Sequence, residues 1–177
     1  MSSKFTVDDR VWRKITSAVA KAGAAEVRVG VIGSDAEQQH PDSGLTVAEI
    51  ALIHEYGSDA AGVPARSFIG RTFDKRSRLI TSMIAQAASN VIHHQSSMVP
   101  ELEKMGRRLA AEIRQTILSG VSPELAQATI DKKGHDHPLI DSGVLVDAIS
   151  YKVVLGHDKA IDDYYDSIEI YEPLGGE

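Results

Sequence analysis

The residues in this chain that could do chemistry are few and scattered. His54-Glu55 begins like the zinc-protease pattern His-Glu-x-x-His, but position 58 is Ser, so the second imidazole one helical turn on is missing. His54 therefore reads as a helix-end histidine beside a C-terminal dipole. His93 and His94 are adjacent, and neighbours on a helix point about 100° apart, so both cannot easily face one ion. His135-Asp136-His137 offers a ligand set in a polar loop, yet a closed site needs four ligands and no partner cluster stands elsewhere. The chain has no Cys, which excludes a thiol nucleophile and a thiolate metal site. Gly30-Val-Ile-Gly33 follows a strand pattern, but it lacks the third glycine and the ensuing helix of a dinucleotide fingerprint. There is no P-loop and no Gly-x-Ser-x-Gly elbow. The acids crowded into the last twenty residues look solvated, whereas a catalytic acid needs burial or a like-charged neighbour to tune it. The expectation is a protein that is not an enzyme, with no catalytic residue, no metal and no cofactor.

What remains is charge. The net charge is −6 and the pI near 5.6, the wrong sign for a surface that grips nucleic acid all round. Residues 61–114 hold nine basic against four acidic side chains, a local +5, and residues 158–177 hold seven acids against Lys159, a local −6. Arg66, Arg71, Lys75, Arg76 and Arg78 mark where a phosphate-binding face would lie, because guanidinium forks match phosphate oxygens. Arg71, Lys75 and Arg78 fall on the polar side of an amphipathic helix, where charges commonly only solvate, and 5 % aromatic content leaves little to stack bases.

These residues need elements to position them. Val7, Val11, Ile15, Ala18, Val19 and Ala22 keep helical spacing between a Thr6 cap and Gly23. Val27, Val29 and Val31 alternate with Arg28 and Gly30, the pattern of a half-buried strand. Residues 34–44 read as a loop, and residues 46–54 as a short helix closed by Gly57. From Ser67 a three-to-four step of inward positions runs about seven turns through Ile69, Thr72 or Phe73, Arg76, Leu79 or Ile80, Met83 or Ile84, Ala87 and Val91. Pro100 opens a further helix with Leu102, Met105, Leu109, Ile113 and Ile117 inward and Gly120 as its stop. Residues 122–125 could nucleate another helical turn, and residues 131–137 read as a polar loop. Ile149, Tyr151, Val153 and Leu155 then alternate as a second strand, and Tyr165 to Tyr171 is a weaker third.

Strands and helices do not alternate strictly, so the fold class expected is α+β: a small, mostly antiparallel sheet packed against one long and several shorter helices. With 177 residues the chain suits a single α+β domain over 1–157 and an acidic tail over 158–177 that holds the possible strand. No apolar run nears the roughly 18 residues of a membrane span, and the start has no signal-peptide block. A chain without Cys that is neither inserted nor exported is expected to fold in a reducing cytoplasm.

Two stretches together resemble one family. The first is Ala48-Glu-Ile-Ala-Leu-Ile-His-Glu-Tyr-Gly-Ser58, followed by Val63-Pro-Ala-Arg-Ser-Phe-Ile69. The second is Thr129-Ile-Asp-Lys-Lys-Gly134, followed by Pro138-Leu-Ile-Asp-Ser-Gly-Val-Leu145 and a strand containing Ile149-Ser-Tyr151. Their order and spacing are similar to those of tail-completion and virion-morphogenesis proteins of tailed bacteriophages, over about residues 26–155. Ser142 stands where that family usually has Thr, Ser67 where Pro is frequent and Val144 where a basic residue is common. The residues carrying the resemblance are His54, Glu55, Tyr56, Gly57, Pro64, Ala65, Arg66 and Phe68, then Pro138, Leu139, Asp141, Ser142, Gly143 and Leu145.

Physically these are architectural devices. Gly57 ends a helix, Pro64 forces an extended approach to the next with Phe68 buried at its start, and Asp141 or Ser142 can cap a turn that places Leu145 inward. Gly143 would allow a tight approach to the strand. The resemblance implies a structural subunit of the virion neck or upper tail, made and assembled in the bacterial host cytoplasm. It implies a homo-oligomeric ring of six or twelve copies that joins tail to head, contacts other neck and tail proteins and surrounds a channel. Viral DNA would cross that channel without specific binding, and no membrane is involved. The alternative is a nucleic-acid-binding or regulatory module using the basic face of residues 66–78. The tail carries Tyr165, Ile168, Ile170 and Tyr171, more apolar surface than a purely solvating tail needs. It is expected to order either within its own chain or on a neighbour, where Arg71, Lys75 and Arg78 offer complementary charge.

Overall fold

A computed structural model describes residues 25–40, 43–93, 97–134, 136–140 and 143–155. The elements run β1 (Ala25–Val31), α1 (Ser34–Glu37), α2 (Val47–Tyr56), α3 (Ile69–His93), α4 (Met98–Leu118), α5 (Gln127–Lys133), α6 (Val144–Asp147) and β2 (Ile149–Leu155). The architecture is α+β. β1 and β2 pair antiparallel with Val27 opposite Val153, Val29 opposite Tyr151 and Val31 opposite Ile149. Paired residues share a face, so the alternation of both strands gathers this valine-rich row on the side packed against the helices.

α4 lies under the sheet. Leu102, Met105, Leu109, Ile113 and Ile117 are buried as the helical period requires, and Glu101, Gly106, Ala110 and Glu112 are buried beside them. Gly106 lets the sheet approach: a Cβ there would lie 2.3 Å from the Tyr151 ring. The main core joins Val47 and Ala51 of α2, Phe68, Ala110, Ile113 and Ile117 of α4, Leu139, Leu145 and Ile149. A smaller cluster of Ala87, Leu102 and Met105 takes in Ala25, Val27, Met83, Met98 and Val153.

α2 starts at a capping box: the Glu49 backbone N–H donates to Thr46 Oγ1 at 3.2 Å, and Thr46 N–H donates to Glu49 Oε2 at 2.8 Å. The Thr46 hydroxyl also donates to Glu49 Oε2 at 2.8 Å, and these two bonds to the carboxylate, the backbone one first, hold the exposed Glu49 carboxyl below its ordinary value.

Several boundaries differ from the expectations. Residues 34–44 contain one helical turn, α1. α4 begins at Met98, and Pro100 sits within its first turn, where a missing N–H has no intrahelical acceptor to lose. At 21 residues α4 is a second long helix beside the 25-residue α3. Residues 122–125 form no helical turn; the turn comes later, in α5, whose last residues 131–133 were expected in a loop. Gly134 at φ 79° ends α5 and donates its N–H to the Ile130 carbonyl, so the charged Asp-Lys-Lys run closes a helix. The helix expected over 7–22 with Thr6 and Gly23 and the strand expected over 165–171 lie outside the described residues.

Candidate functional site

The two resembling stretches fold into one joint between α2, α3 and the approach to β2. Its hinge is Gly57, at φ 81°, where a Cβ would meet the Ala65 nitrogen at 2.8 Å and the Val63 oxygen at 3.1 Å. Ser58 and Val63 then pair through two backbone hydrogen bonds of 2.8 and 2.9 Å, closing a tight loop. The returning chain donates Arg66 N–H to the His54 carbonyl at 2.6 Å, which lays residues 67–70 against the last turn of α2.

Glu55 completes that contact. Its Oε1 accepts from the Ser67 hydroxyl at 2.6 Å and Gly70 N–H at 2.9 Å, and its Oε2 accepts from Phe68 N–H and Ile69 N–H at 2.9 Å each. The first turn of α3 contains no acidic residue of its own, so a carboxylate from the preceding helix caps three orphan amides and faces the positive end of the dipole. Burial pushes the Glu55 carboxyl up, but the bonds from Ser67, Gly70, Ile69 and Phe68 together outweigh it, and the net direction is down. Gly70 is part of the device, since a Cβ there would stand 2.8 Å from Ser67 Oγ and 3.2 Å from Glu55 Oε1.

Arg66 is the second lock. It is 6 % exposed, and its Nε donates to the Pro123 carbonyl at 2.7 Å while an Nη donates to the Glu124 carbonyl at 3.1 Å. Burial lowers its pKa. Those carbonyls turn toward the guanidinium, which is why residues 122–125 do not coil into the expected helical turn. Phe68 is fully buried at the head of α3, as expected, while Pro64 and Ala65 are exposed on the approach.

The second stretch meets the first inside the main core. Pro138 and Leu139 are buried, Leu139 with φ 66°, and Leu145 is 7 % exposed in the cluster that holds Val47, Ala51 and Phe68. Gly143, at φ 83°, leads into the short turn α6, which carries Leu145 inward, and then to β2. Asp141 and Ser142 lie outside the described residues. Tyr151 packs on Gly106 and receives a hydrogen bond from Arg107 at 3.2 Å.

The joint has structural chemistry throughout. His54 and the aliphatic side chains Val63, Leu139 and Leu145 line a cleft whose walls are mostly apolar. Among the described residues no three His, Asp or Glu side chains gather at metal-ligating spacing, and His94 and His135 lie outside them.

The expected basic face shrinks. Arg66 is buried, and Arg76 Nε lies 2.6 Å from Glu112 Oε2 while Arg108 reaches the other oxygen at 2.7 Å. Lys75 and Arg78 stay exposed and Arg71 is half-buried, so three of the five cations still point outward. Tyr165, Ile168, Ile170 and Tyr171 lie outside the described residues. Next to the joint, Tyr56, Leu52 and Phe73 are exposed by 77 %, 58 % and 36 %.

Sequence reasoning missed the cap and the buried Glu112. The first had a signal in Ser67, an N-cap residue type before a helix lacking an acid in its first turn. The second had one in Arg108, a basic residue four positions earlier on the same helix. No protein-family model, curated protein or solved structure matches the chain. Among the described residues no helix is long and apolar enough to cross a membrane.

Proposed function

We propose that this chain is a structural subunit of a tailed-bacteriophage virion. Within that class it is a tail-completion protein, forming a ring of six or twelve copies that joins tail to head around the DNA channel. The observation that carries this reading is the use to which the resembling residues are put: Glu55, Arg66, Phe68, Leu139 and Leu145 are all spent on one rigid joint between helices. Residues that fix the angle between elements suit a protein whose work is to present surfaces to neighbours, and no substrate needs to enter such a joint. The chain acts without catalysis and without a cofactor, in the virion after assembly in the host cytoplasm.

The interface between copies uses the outward cations Arg71, Lys75 and Arg78 against the acidic tail, with Tyr165, Ile168, Ile170 and Tyr171 as its apolar contacts. Truncation after Leu155 tests this: the shortened chain is expected to fold and to fail in joining heads to tails, and normal joining would remove the tail from the reading. Mass measurement of the full chain, alone and with tail tubes, is expected to give a closed ring. The competing nucleic-acid reading rests on the same three cations and requires tight, salt-sensitive DNA binding. The ring reading requires none at physiological salt, since a deep electrostatic well would stall transit.

A further inference from the structure

α3 is 25 residues long, yet only Thr72, Ala87 and Val91 of it are buried. At about 100° per residue, Phe73, Ser77, Ile80, Ile84 and Ala88 fall within an arc of about 80° and form a stripe along one flank of the helix. Phe73, Ser77, Ile84 and Ala88 are exposed, Ile84 by 54 %, and Ile80 is half-buried. No charge interrupts the stripe, because Arg71, Lys75 and Arg78 lie about 140–160° round the helix from Phe73. A solvated helix face normally carries charge, so this one has the composition of a covered surface.

A hole and a knob stand on the same stripe. The hole is a notch of about 460 Å³ where α2 meets α3, with Val31, Ala51 and Ile69 in its wall beside the exposed Leu52, Tyr56 and Phe73. The knob is Ile84, eleven residues and about 16 Å along α3 from Phe73. A twofold axis crossing α3 midway, between residues 78 and 79, brings the Ile84 of each copy onto the notch of the other, so both contacts form at once. Ser77 then stands opposite Ile80, a small side chain against a large one. The part of α3 that crosses the other copy's notch belongs to residues 79–92, which contain no charged residue at all. A parallel pair would instead set Ile84 on Ile84 and leave both notches empty.

We propose that a second copy of this chain packs antiparallel on this stripe of α3, with the Ile84 of each copy seated in the Leu52–Tyr56–Phe73 notch of the other. The assignment does not rest on the virion reading, and rings of six or twelve copies both divide into pairs. In the full chain, Ile84→Asp is expected to keep its circular dichroism and to lower the mass measured by light scattering at least about twofold. Because the chain has no Cys, single cysteines report the pairing without background. Ser77→Cys lies close to the axis and is expected to give a disulfide-linked dimer. Ala88→Cys, whose two copies stand about 28 Å apart along an antiparallel pair, is expected to give none. If Ile84→Asp fails to fold, the two cysteine variants alone decide. An unchanged mass in the folded Ile84→Asp variant would overturn the proposal, and so would absence of the Ser77 link. A link through Ala88→Cys would overturn it in favour of a parallel pair. A monomeric full chain in which Ile84→Cys resists thiol labelling would overturn it in favour of cover by the chain's own remaining residues.

Discussion

Replacing Glu55 by Ala removes one carboxylate and leaves four donors without their acceptor: the Ser67 hydroxyl and the amides of Phe68, Ile69 and Gly70. An N-cap substitution alone costs about 1 kcal/mol, and a hydrogen bond to a charged group contributes about 1.5–3 kcal/mol net of competition with water. The site is only half-buried, so water recovers part of the loss, and a net cost of about 2–4 kcal/mol is expected. For a chain of this size that lowers Tm by roughly 4–16 °C at neutral pH. Glu55→Gln keeps an acceptor but loses the charge, and is expected to fall between the two. The pH dependence carries a sign. The folded carboxyl titrates below its ordinary value, so its stabilising contribution is present above the unfolded Glu pKa of about 4.3 and is lost as pH falls through the lower folded value. Melting curves followed by circular dichroism should show wild type and Glu55→Gln converging below that pH. A Glu55→Ala protein that melts with wild type at pH 7, or a gap to Gln that is constant down to strongly acid pH, would refute the capping argument.

Phe68→Ala empties a fully buried site and should cost about 3–5 kcal/mol in denaturant unfolding, with m unchanged. Gly106→Ala must displace the Tyr151 ring from under the sheet and should cost about 1–3 kcal/mol, partly recovered by adding Tyr151→Ala in a double-mutant cycle. Arg66→Met removes both hydrogen bonds to the Pro123 and Glu124 carbonyls while keeping much of the volume, and should speed amide exchange across residues 121–126 more than in the sheet. The full chain should bind no duplex DNA at physiological salt, checked by titration at two salt concentrations, and micromolar binding there would favour the nucleic-acid reading.

Much of the fold was legible because its signals are local. β1 and β2 follow from alternation, α2 from helical period ended by a glycine and α3 from helical period alone, and every inward position assigned to α4 is buried. α5 was missed because Asp131, Lys132 and Lys133 look like solvent-seeking loop residues, although Gly134 in the left-handed conformation is the stop that marks a helix end. Arg66 and Arg76 looked like members of a basic surface, since charge in a sequence carries no sign of its partner. Pro123, Glu124 and Glu112 lie 36 to 58 residues further on, and only the folded chain brings them within hydrogen-bond reach. Glu55 is the plainest case. Its neighbours Tyr56 and Gly57 announce the end of a helix, but the carboxylate acts on the start of the next one, across a loop whose closure no spacing rule describes.

The measurement that bears most directly on the proposed role is electron microscopy of phage particles assembled without this chain. The expected result is DNA-filled heads and complete tails lying separate, with joining restored when the purified protein is added. Intact, infectious particles with heads and tails joined in its absence would contradict it.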